Sequence, residues 1–175
     1  MIHLTKSVTV MKPREEVYRF WRRLERLPSF MIHLQSVTEE SAVRSHWVAH
    51  APGDTRVEWD AEIVDERENE LLSWRSCEGS DIPNAGTVRF TDAPADRGTE
   101  VRVELNYDAP AGEAGKIVAK WFGEEPGQQL TDDLRRFKQV METGEVVLSD
   151  GSLMGAGEGA SAERPAQAPA MGVEA

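Results

Sequence analysis

Cysteine is almost absent: Cys77 is the only one in 175 residues. That excludes an internal disulfide and any metal site built on several thiolates. Long apolar runs are missing too. No stretch approaches the roughly 18 uninterrupted apolar residues that a spanning helix needs. The first residues, MIHLTKSVTVMKPREE, alternate apolar and polar and lack the continuous apolar stretch of a secretory signal. Positive charge is scarce. Lys and Arg number 20 against 31 Asp and Glu, a formal net charge of −11. Such a chain repels phosphate backbones and anionic surfaces on average, so a nucleic-acid partner is not expected. These absences together lead to the expectation of a cytoplasmic protein.

Aromatics are lacking beyond Phe137. The 27 residues from Ser149 to Ala175 include 7 Ala, 5 Gly, 3 Ser and 2 Pro. Such a segment buries too little apolar surface to offset its ordering entropy. The expected organisation is one domain over residues 1–148 and a disordered tail over 149–175. The GAGEG stretch at Gly155 to Gly159 has no strand before it and no apolar helix after it, so it reads as linker rather than a phosphate loop.

What is present is clear periodicity. Ile2, Leu4, Val8 and Val10 alternate with polar residues, giving a first strand. Pro13 suits a helix start. Val17, Phe20, Trp21 and Leu24 then share one helix face, and Pro28 is expected to end it. Ser29 to His33 reads as a second small helical piece. Strands follow at Arg44 to His50, Arg56 to Val64, Leu71 to Cys77, Ile82 to Thr91 and Thr99 to Tyr107, separated mostly by short turn-rich breaks. Short breaks imply antiparallel neighbours. Glu58, Asp60 and Glu62 share a water-facing parity with Arg75, Arg89 and Arg102, a solvated face with cross-strand pairing. The chain ends helically. Ile117, Val118, Trp121 and Phe122 form one apolar stripe; after a break at Gly123 to Pro126, Leu130, Leu134, Phe137, Val140 and Met141 continue it. Asp132 and Asp133 early, Arg135, Arg136 and Lys138 late, suit the helix dipole. Gly144 is placed to terminate the helix.

This order, with the KPREEVYRFWRRLERLPSFM segment, the VEWDAEIV, LLSWRS and NAGTVRF strands and the final LTDDLRRFKQVMETGE helix, resembles the START-like (SRPBCC) superfamily over about Ile2 to Thr143. That superfamily includes the polyketide cyclase/dehydrase family and coenzyme-Q-binding START-like proteins. The resemblance implies an α+β helix-grip fold: a curved antiparallel β-sheet wrapped around a long C-terminal α-helix, with two short helices after the first strand. It also implies a cavity between sheet and helix.

A sheet closed by one helix has an inner face that the helix cannot fill, which leaves space for an apolar guest. The candidate ligand-binding residues are the inward parity: Trp47, Trp59, Ala61, Trp74, Val88, Phe90, Val103, Leu105 and Tyr107. From the helices come Val118, Leu130, Leu134, Phe137 and Met141. Ala61 and Gly86 are small and favour a hollow. Three polar groups share that parity: Ser76, Asn84 and the Tyr107 hydroxyl. Each is a candidate to orient a ligand carbonyl or hydroxyl, or else is satisfied by nearby backbone.

No catalytic residue, metal ligand or cofactor is assigned. No His falls clearly inward; His46 and His50, four residues apart on a strand, are ~13 Å apart, too far to share one metal. His3 lies opposite Leu4, and His33 sits in an unassigned turn. No serine has a nucleophile-elbow context, and Asp60 and Glu62 face water rather than a cleft. The segment from Val17 to Met31 mixes Arg14, Arg19, Arg22, Arg23 and Arg26 with Phe20, Trp21, Phe30 and Met31, so it is a candidate for transient membrane contact or simply a helix with a core-facing stripe. The expected function is binding of a hydrophobic small molecule, such as a lipid, an isoprenoid quinone or a polyketide-like compound, with the Gly123–Pro126 break as a hinge. Two alternatives stand beside it: a polyketide aromatase/cyclase or dehydrase, and a protein-interaction module using the sheet's wet face or the tail.

Overall fold

The computed structural model describes residues 1–50, 56–108, 111–122, 127–147 and 153–155. The alternating segments form β1 (Ile2–Val10), β3 (Arg44–His50), β4 (Arg56–Arg67), β5 (Leu71–Ser76), β6 (Asn84–Asp92) and β7 (Thr99–Tyr107). Within the main sheet, one strand, β2 (Leu34–Glu39), has no counterpart in the sequence reading. Its buried residues are Leu34 and Val37, three apart rather than two, and its register with β3 slips between Leu34 and Ser36. That bulge hides the period-two signal.

The sheet is a seven-stranded antiparallel meander, in the order β1-β7-β6-β5-β4-β3-β2. Only β1 is out of sequence. It crosses to the far edge beside β7, pairing Ile2 with Tyr107 through Val10 with Thr99. The wet face carries the expected charge ladder: Arg75 pairs with Glu62 at 2.7 Å and Arg44 with Asp60 at 2.9 Å. His46 Nδ1 lies 2.7 Å from an Asp60 oxygen.

Helix α1 (Arg14–Arg22) follows Pro13, and a 3₁₀ helix (Leu24–Ser29) comes next. Here the structure corrects the expectation. Pro28 does not stop α1 but lies inside the 3₁₀ helix, so the second helical piece runs from Leu24 to Ser29 and Phe30 to His33 is not helical. The tighter i→i+3 bonding accommodates a proline near the end of a short helix. Helix α1 is tied to the sheet by Arg22, which bonds Glu66, Glu39 and the Ala42 carbonyl.

Helices α2 (Glu113–Phe122) and α3 (Gln128–Thr143) close the concave face. Gly144 adopts φ +74° and its N–H bonds the Val140 carbonyl at 2.9 Å, the left-handed cap that glycine allows. Of the α2 stripe, only the Val118 side chain is described, and it is buried. The Gly123–Pro126 break lies outside the described residues, so the hinge expectation is not addressed. Within the stretch expected to be a disordered tail, the described residues are Leu153–Gly155, which form β9 and pair with β8 (Glu145–Val147).

Candidate functional site

The interior has two unlike ends. Around the C-terminal half of α3 it is filled with rings. Phe137 lies 4.9 Å from Phe30, 5.0 Å from Trp21 and 5.9 Å from Phe20, centroid to centroid. Phe90 meets Tyr18 edge-on at 5.6 Å. Such spacings are direct ring contact. Around the N-terminal half of α3 a partly enclosed cavity of about 100 Å³ remains.

Of the residues singled out from the sequence, Trp47, Trp59, Trp74, Asn84, Val103, Leu105, Tyr107, Val118 and Leu130 line this cavity. Trp47 stacks on its cross-strand partner Trp59 at 5.8 Å and 19°, and its indole N–H donates to the buried Ser45 hydroxyl at 2.8 Å. Trp74 lies flat over Gly86, where a Cβ would overlap the indole ring. Gly86 therefore makes room for Trp74 rather than for a guest, a correction to the volume argument.

The remaining candidates lie away from the cavity. Val88, Phe90, Leu134 and Phe137 are buried in the packed core at the ring-filled end, and Met141 packs against it. Strand parity cannot tell which end of a face a helix covers. Ala61 is buried outside the lining. Ser76 is also outside it, and its hydroxyl accepts the Asn84 backbone N–H at 3.0 Å. Asn84 reaches the wall, but its side-chain amide donates to the Ile82 carbonyl at 2.9 Å. Burial pushes the Tyr107 phenol above its ordinary pKa.

Residues that the sequence did not mark as ligand-binding complete the wall: Trp21, Leu24, Leu27, Met31, His33, Leu34, Ile82 and Asp133. Two of these carry chemistry. Asp133 is 2% exposed; its Oδ1 accepts from Gln129 at 2.9 Å and from the Arg136 guanidinium at 2.7 Å. Burial outweighs both bonds and raises its carboxyl to about 6. His33 Nδ1 lies 3.8 Å from Asp133 Oδ2. Burial, helped by the Arg136 and His50 charges, lowers the imidazole to about 4, so it is neutral at pH 7. Arg136 also donates through Nε to the Phe30 carbonyl at 3.0 Å, tying α3 to the end of the 3₁₀ helix. Asp133 carried a signal in the sequence: it lies three residues from Leu130 and four from Phe137, a carboxylate on the buried stripe of α3. Its fit to the helix dipole masked that placement.

The arginine-aromatic segment is arranged for packing. Trp21 and Phe30 are buried, and Arg26 sits 5.2 Å over the Phe20 ring. In that stretch and just beyond it, the exposed large apolar residue among those described is Ile32. No helix among the described residues is long and apolar enough to cross a membrane.

Comparison with known proteins agrees with this geometry. Residues 10–135 match the family model described as polyketide cyclase / dehydrase and lipid transport. A crystal structure of a Deinococcus radiodurans protein is 39% identical, with a TM-score of 0.68, covering 82% of this chain and 99% of its own. An uncharacterised 17.2 kDa protein of Streptomyces lincolnensis is 27% identical over 145 residues, 81% of this chain and 91% of that protein. An aromatase/cyclase from a Streptomyces species shares the fold, with a TM-score of 0.60 at 14% identity over 81% of this chain and 96% of its own. A curved antiparallel sheet closed by a C-terminal helix, and a match over most of the folded body, place the chain in the polyketide cyclase/dehydrase and lipid transport family of the START-like (SRPBCC) superfamily.

Proposed function

We propose that this protein binds a hydrophobic small molecule in the cavity beneath α2 and the first half of α3. The observation that carries the reading is the hollow itself. A tryptophan-walled space of about 100 Å³ stays open beside the ring-filled end of the interior. An enclosed apolar cavity of about 150 Å³ takes up benzene; this one is smaller and only partly enclosed, so it suits one end of a ring or chain. A lipid, isoprenoid quinone or polyketide-like compound would insert one end and leave the remainder outside. Desolvation of that end drives binding. Residues 1–148 suffice for this function, and 149–175 are dispensable for it.

Native mass spectrometry of protein purified from its own host tests the reading. A bound hydrophobic species, retained after removal of residues 149–175, is expected. Ligand-free protein whose melting temperature is unmoved by lipid, quinone and polyphenol probes would overturn it.

A second reading, cyclase or dehydrase chemistry, is favoured by one observation: a neutral imidazole and a carboxylate face the cavity together at His33 and Asp133. A carboxylate base beside an imidazole N–H donor is what enolisation of a ketone needs. Acetophenone in D₂O is a direct probe. This reading expects exchange of its methyl protons, lost in His33→Ala; exchange at the buffer rate would sink it.

A further inference from the structure

Within that cavity one atom has a specific need. Asp133 Oδ1 is served twice, by Gln129 and Arg136. Asp133 Oδ2 is not. Among the described residues His33 Nδ1 lies 3.8 Å from it, beyond hydrogen-bond range, and the two donors to this carboxylate both go to Oδ1. This oxygen is not sealed in protein, so a donor that enters the cavity can reach it. The residue lines the cavity, beside walls that are otherwise mostly aromatic and aliphatic.

We propose that Asp133 Oδ2 is the recognition point for a hydrogen-bond-donating head on a small ring compound, so that the cavity takes neutral phenol- or alcohol-class guests in preference to hydrocarbons of equal size. This rests on the binding reading above and names its ligand class. Charge decides between donors. Arg136 already sits 2.7 Å from Asp133, so the carboxylate's charge is balanced and an ammonium guest would meet a neutral pair. A carboxylate guest brings only acceptors and cannot satisfy Oδ2. A neutral hydroxyl satisfies Oδ2 while its ring lies among Trp47, Trp59 and Trp74. Hydrophobic transfer alone ranks the hydrocarbon first, so a preference for the hydroxyl reports the hydrogen bond.

The test is calorimetric titration of the full chain with phenol, toluene and fluorobenzene, which are nearly equal in size. Phenol is expected to bind at least tenfold tighter than either of the others. In Asp133→Asn, phenol affinity is expected to fall at least fivefold, with toluene affinity unchanged. If that variant does not fold, phenol against fluorobenzene in the unmodified protein decides, because only phenol donates. Toluene and fluorobenzene binding as tightly as phenol would overturn this assignment alone and leave the cavity reading standing. Binding of none of the three would overturn both.

Discussion

The two halves of the interior are built from the same inward-facing parity, yet one is solid and the other hollow. At the solid end, α1 and the 3₁₀ helix insert Trp21 and Phe30 between sheet and α3, and Phe137 meets both. At the hollow end, Trp47 and Trp59 stack on each other along the sheet instead of reaching across to α3. The difference lies in what a third element adds. A ring delivered from outside the sheet-helix pair fills the gap; a ring lying along the sheet does not. Trp21 belongs to both ends, touching Phe137 on one side and lining the cavity on the other.

The sharpest way to break this contrast is to empty the solid end. Phe137→Ala is expected to cost about 3–5 kcal/mol of stability, the usual range for deleting a fully buried ring. Trp59→Ala, at a half-buried position on an existing hollow, is expected to cost clearly less. Equal losses in chemical denaturation would show that the cavity is closed in solution.

The converse is to fill the hollow. Val103→Phe adds a ring to the cavity wall. It is expected to abolish ligand-induced shifts in melting temperature while costing less than the about 1–3 kcal/mol of forcing added volume into a filled core. A loss beyond about 3 kcal/mol would mean the space is already occupied by packing.

Titration gives a smaller effect with a definite sign. Asp133 holds its proton up to about 6, above its unfolded value, so the native state binds the extra proton and stability from this group falls as pH rises from about 4 to 6. His33 is lowered to about 4, so its contribution runs oppositely: the unfolded state binds the extra proton, and stability rises over about pH 4 to 6.5. The two slopes offset each other in the intact protein. His33→Phe is expected to unmask the falling slope and Asp133→Asn the rising one, read from denaturation midpoints at pH 4.5 and 7. The same slope in both variants would contradict the placement of the pair.

The smallest effect is expected outside the comparison altogether. Arg75→Ala removes an exposed ion pair with Glu62, worth at most about 1 kcal/mol, and should leave binding untouched.

Much of the architecture was legible because alternation is a local signal. Strands β1 and β7 and the end of α3 at Gly144 coincide with their sequence boundaries. Legibility failed where a local irregularity broke the period: the bulge in β2, and the 3₁₀ helix that carries Pro28. It failed at the cavity for another reason. Parity sorts residues into inward and outward, but Phe90 and Val103 share it while only Val103 lines the hollow. Which inward residues meet a ring from α1 depends on contacts far apart in the chain. His33 was hidden beside the unrecognised strand, and Asp133 by a plausible role on its own helix.

Residue 86 sets the calibre of the chamber. Because no side chain stands there, the six-membered half of the Trp74 indole rests directly on the β6 backbone. A single methyl at that point would evict it, and the space beside it is the cavity. One carbon atom on the sheet would thus swing a far larger plate into the opening and narrow what the protein admits, with no change to any residue on the lining.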